Sequence, residues 1–150
     1  MVGMRKLIFA ALFALASAAA ACPQQETLFN GYQFKEGTAL VKGLNPYCTN
    51  AGRELADGFR QGYEGLGGKV SWVEGYRVEY SGIEAVLSTL EKLLGMRGFR
   101  YVDSAEGEYQ VISTFEKVGG KNEYLFLSIE PTNRDIILVM VEGVFPHMSQ

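Results

Sequence analysis

Histidine is nearly absent from this chain, and so is cysteine: there is one histidine and there are two cysteines in 150 residues. The lone histidine, His147, sits in the tail Pro146-His147-Met148-Ser149-Gln150. A structural zinc site needs four nitrogen or sulfur ligands, so these three side chains cannot build one, and no metal is expected. A serine or cysteine nucleophile needs a base beside it, and a histidine in a fraying tail is badly placed for that task. No cofactor is expected either. The glycine cluster Gly62 to Gly68, followed by Lys69, lacks the phosphate-loop spacing. Tyr63 stands where the first glycine is needed, and Val70 where a hydroxyl should follow the lysine. A dinucleotide fingerprint also fails, because no strand precedes the cluster and no helix follows it. The cluster reads as a helix stop and a turn.

Basic residues are in short supply as well, 14 against 17 acids. The deficit grows once the N-terminus is considered. Met1 to Lys6 carries Arg5 and Lys6, and an apolar run follows from Leu7 to Ala21 before Cys22-Pro23-Gln24-Gln25 breaks it. A basic start, a short apolar core and small residues at the end are the marks of a cleavable secretion signal over residues 1–21. The run is shorter than the roughly 20 apolar residues a membrane-spanning helix needs. Without it, 12 basic side chains face 17 acidic ones, a net charge of −5. Such a field repels phosphates, so no nucleic acid is expected as partner. Residues 22–150 are enough for one globular domain with its own core.

An exported chain meets an oxidising compartment, where Cys22 and Cys48 are expected to pair. The bridge would close a loop of about 27 residues, which the chain-entropy model values at roughly 3.5 kcal/mol. Ala19-Ala20-Ala21-Cys22 also resembles a bacterial lipobox, departing at Ala19, where leucine is usual. That reading makes Cys22 a lipid-bearing anchor, and only then is a membrane expected as partner. Between the two cysteines, Asn30-Gly31 flanked by apolar residues predicts a hairpin.

Thr49 or Asn50 can cap a helix whose apolar residues fall at Leu55, Ala56, Phe59, Tyr63 and Leu66. Its glycines make it weak on its own. Val70 to Tyr80 alternates as a strand, interrupted near Gly75, with Tyr76, Val78 and Tyr80 on one face and Arg77 and Glu79 on the other. Ser81-Gly82-Ile83-Glu84 then reads as a capping box, opening a second helix on the stripe Ile83, Val86, Leu87, Leu90 and Leu94. Four strands follow, over 99–102, 109–117, 123–129 and 135–142, joined by short polar turns that favour an antiparallel meander. Ile136 to Val141 is apolar on both faces, as in a central or helix-covered strand. The fold class is α+β: an amphipathic helix packed on an antiparallel sheet in strand-helix-meander order, with a weaker N-terminal helix before it.

Three readings of function emerge. The first is an exported, non-catalytic domain that binds a protein or a small apolar ligand on the sheet face opposite the second helix, with Trp72, Tyr76, Arg77 and Glu79 as binding residues. The second is an acid-base hydrolase using Glu54 and Asp57, one helical turn apart, a spacing at which two buried carboxyls share a proton. A structural lipoprotein held through Cys22 is the third alternative.

Overall fold

The computed structural model describes residues 41–148, so the expected secretion signal, Cys22 and the hairpin expected at Asn30-Gly31 lie outside the described residues. The fold is α+β: a six-stranded antiparallel sheet and two helices. In chain order the elements are β1 (Asn45–Pro46), α1 (Asn50–Glu64), β2 (Lys69–Val78), α2 (Ile83–Met96), β3 (Phe99–Glu106), β4 (Val111–Lys117), β5 (Glu123–Pro131) and β6 (Ile136–Val144). The strands lie in the order β1-β2-β6-β5-β4-β3. Three hairpins link β3 to β6, and β6 returns to pair with β2, Tyr76 opposite Leu138 and Val73 opposite Val141. Helix α2 therefore carries the chain from β2 over the sheet to the far edge strand β3.

Alternation along the strands divides the interior into two apolar layers. One face holds Trp72, Tyr76, Val78, Leu125, Leu127, Leu138 and Met140 against Val86, Leu90, Leu93 and Leu94 of α2. The other holds Val70, Phe126, Val139 and Val141 with Leu55, Phe59 and Tyr63 of α1 packed against them. Because both faces are covered, the middle strand β6 is apolar from Ile136 to Val141. Strand β2 runs unbroken through Gly75. Its irregularity comes earlier, between Val70 and Trp72, where a shift of register turns Val70 to the α1 side and Trp72 to the α2 side.

Helix α1 begins where the sequence places it. Thr49 is its N-cap, and the Thr49 hydroxyl accepts from the Gly52 amide at 3.2 Å. Helix α2 begins differently. The capping box expected at Ser81–Glu84 does not form: Tyr80–Gly82 winds as a turn of 3₁₀-helix, Gly82 occupies the cap, and no side chain bonds to it. The 3₁₀ turn already has the Gly82 amide donating to the Glu79 carbonyl, so Ser81 lies one position inside the coil, away from the cap geometry. The helix stops at Gly98, whose φ of +86° suits a residue without a Cβ.

The first hairpin also departs from expectation. β3 continues to Glu106 through the segment read as a turn, and the reversal falls at Gly107 to Gln110. After Phe99 every residue of β3 is exposed, as befits an edge strand lying beyond the cover of α2. Arg100, Asp103 and Glu106, with a bulge between Tyr101 and Asp103, are features that discourage pairing with another chain.

Candidate functional site

The aromatic residues singled out on β2 belong to the interior. Trp72 is 6% exposed and Tyr76 fully enclosed, both on the α2 side of the sheet. Trp72 Nε1 donates to Glu142 Oε2 at 2.6 Å, and Glu142 in turn pairs with Arg97 at 3.2 Å. The Tyr76 hydroxyl donates to Glu74 Oε2 at 2.8 Å. Burial holds the Tyr76 phenol far above its ordinary range, and the charge and hydrogen bond of Glu74 push in the same direction. Neither ring has a surface to offer a partner.

Arg77 and Glu79 sit elsewhere. Alternation turns Arg77 away from Trp72 and Tyr76, over the ring of Tyr47 at 5.1 Å and into a two-pronged bond with Asp135 at 2.7 and 2.9 Å. That hydrogen bond holds the Asp135 carboxyl below its usual value against an opposing effect of burial, and a hydrogen bond from Thr132 helps. Together with Asn45, Glu79 and Arg134 they line a shallow polar recess. The four expected binding residues are thus split between the core and this recess, and do not form one site.

Glu54 and Asp57 are both exposed on α1. Proton sharing between carboxyls requires that water be excluded, a condition neither meets. Cys48 lies just before the α1 cap, and the pairing expected for it involves Cys22, outside the described residues. His147 is exposed, with its ring beside Gly67. Among the described residues, no group of three or more histidines, cysteines or acids could hold a metal ion. No described helix is long and apolar enough to cross a membrane.

What the sequence reading missed is a groove on the sheet face opposite α2. Helix α1 lies over β2 and β6, held at its C-terminal half by Arg60, which donates to the Val70 carbonyl at 3.2 Å. Tyr63 stacks on Phe126 at 4.6 Å and meets the edge of Phe145 at 5.8 Å. Beyond that line the helix no longer covers the sheet. The space between α1 and the start of β4 is an open groove of about 540 Å³, walled by Leu55, Phe59, Tyr63, Leu66 and Ile112. Gly58 and Gly62 form its floor on the helix side, and a Cβ at either position would meet nothing within 4 Å. Glu54 and Gln110 bring a carboxylate and an amide to its lining, and Tyr63 a phenol. Burial in this wall pushes the Tyr63 phenol up to about 12. The one signal in the sequence was Gly58 and Gly62, four residues apart, which opens a helix face where most helices carry side chains.

No family model, curated protein or solved structure matches the chain.

Proposed function

We propose that the chain is an exported, non-catalytic domain that binds a small apolar ligand in the groove between α1 and β4. The observation carrying this reading is the lining: five apolar side chains around a concavity whose volume falls within the range of roughly 300–1,000 Å³ usual for small-molecule sites. The face is the one expected for ligand capture, opposite α2, but the residues are Leu55, Phe59, Tyr63, Leu66 and Ile112 in place of Trp72 and Tyr76. Export rests on the leader in residues 1–21, and a Cys22–Cys48 bridge would tether the chain entering α1, the helix that forms one wall. Mass spectrometry of the mature N-terminus distinguishes that bridge from a lipid on Cys22.

Filling the groove from inside tests the ligand reading. Gly62→Leu adds a side chain where the helix has open space. The uncharged fluorophore N-phenylnaphthylamine should brighten saturably on the wild-type protein and fail to do so on Gly62→Leu, whose thermal midpoint should hold or rise. Equal brightening on both proteins, or none on either, would refute the site.

A further inference from the structure

The carboxylate and the amide of the groove share one end, and strand register shows which end. Gln110 stands one residue before Val111, which is aligned through Ile129 and Leu138 with Tyr76, near the C-terminal end of β2. The start of α1 is at this same end, because the Tyr47 amide donates to the Gly75 carbonyl and the helix begins at Asn50. Glu54, in the second turn of that helix, therefore shares this end with Gln110. Tyr63 and Leu66 mark the opposite end, where Tyr63 meets Phe145.

Among the described residues the Glu54 carboxylate makes no hydrogen bond or ion pair, so its acceptor oxygens are open to a guest. Among the described residues, the Gln110 side chain is engaged through Oε1, which accepts a long 3.5 Å bond from Ser128. Of the basic side chains near this end, Arg53 donates to Asn50 and Arg77 is held by Asp135, while Arg134 lines the separate recess beside Arg77. No basic side chain lines the groove, so an anionic head group would meet the Glu54 carboxylate with no cation in the lining to offset it. A head group that donates hydrogen bonds and carries positive charge would meet its complement.

Resting on the groove as the binding site, we infer that its ligand is a single-chain amphiphile with an ammonium head, the head at Glu54 and Gln110 and the apolar chain running along Leu55, Phe59 and Tyr63 toward Leu66. A charge-assisted hydrogen bond from the ammonium to Glu54 sets the orientation, and the chain supplies contact area.

Three probes of equal chain length, dodecylamine, dodecanol and dodecanoic acid, separate this inference from the reading beneath it. Each is titrated into the purified protein by calorimetry, below the concentration at which it self-associates, with Gly62→Leu as the control for non-specific uptake. The amine should bind about tenfold more tightly than the alcohol, and the acid more weakly than either. Glu54→Gln should bring the amine down to the alcohol while leaving the alcohol unchanged. If all three bind alike and Glu54→Gln changes nothing, the head-group inference falls and the groove stands. If none binds more tightly to wild type than to Gly62→Leu, both fall.

Discussion

The indole of Trp72 and the carboxylate of Glu142 face each other across β2 and β6, with Nε1 donating to Oε2 at 2.6 Å and Arg97 closing on the same carboxylate from the end of α2. This chain of contacts ties the helix terminus to the two strands at the centre of the sheet. It also explains why a tryptophan with a polar edge is tolerated in an otherwise apolar layer, since the N–H has a charged acceptor.

Trp72 should therefore behave as a core residue in mutagenesis. Trp72→Ala removes a large buried ring and should destabilise the fold by about 3–5 kcal/mol. Trp72→Phe keeps most of the volume and loses the hydrogen bond to a charged group, for about 1.5–3 kcal/mol. Urea unfolding followed by circular dichroism checks both. A Trp72→Ala protein as stable as wild type would mean that the ring is at the surface.

Gly58 and Gly62 of α1 should respond in the opposite direction to Gly68 in the turn after it. Gly58→Ala and Gly62→Ala meet no atom within 4 Å and relieve the helix of its most flexible residue, so each should stabilise by about 0.5–1 kcal/mol. A Cβ on Gly68 would lie 2.0 Å from the buried ring of Phe145. Gly68→Ala must displace that ring and should destabilise by about 1–3 kcal/mol. Thermal melts of the three single variants are sufficient, and the opposite signs are the diagnostic.

These glycines also illustrate what could be read in advance. The stripe Leu55, Phe59, Tyr63 states which side of α1 is dry, and the two-faced apolarity of Ile136 to Val141 states that β6 is covered on both sides; both hold in the fold. Periodicity says nothing about where a helix sits laterally on a sheet. The groove exists because α1 is seated over β2 and β6 and stops short of Ile112, an offset that arises from tertiary packing of Tyr63 on Phe126 and Phe145. For the same reason alternation placed Tyr76 and Val78 on one face but left open whether that face met water or a helix. The capping box at Ser81 failed on a local matter, since the motif is identical in sequence whether the first turn is α or 3₁₀.

Acid should weaken the protein partly through Asp135. Its carboxyl, held below the usual range first by the hydrogen bond from Arg77, ionises at lower pH in the fold than in the unfolded chain, where the value is about 3.9. The unfolded state thus binds the proton first as pH falls. The stability contributed is fully present above about pH 4 and is lost as pH drops through the folded value. Asp135→Asn should be less stable than wild type near pH 7, and the gap should narrow below pH 4 as measured by urea midpoints. A gap independent of pH would show that the charge on Asp135 is irrelevant to the turn it closes.

Alkali should report on the groove itself. Tyr63 forms part of the groove wall, and burial pushes its phenol up to about 12, whereas an unfolded chain has tyrosine near 10. The unfolded state then releases its proton first, so the stability this group contributes is complete below about pH 10 and is lost as pH climbs toward 12. Tyr63→Phe preserves the stack on Phe126 while removing the ionisation, and should flatten that alkaline decline. In a spectrophotometric titration, the wild-type curve minus the Tyr63→Phe curve should contain one tyrosine with a midpoint near 12. Adding dodecanol, whose hydroxyl head stays uncharged at this pH, should move that midpoint higher, because a guest lying along the ring excludes the water that still reaches it and brings no negative charge. A midpoint near 10 without the guest would place the phenol in bulk water, and a midpoint indifferent to the guest would mean that the amphiphile binds somewhere other than the wall that Tyr63 forms.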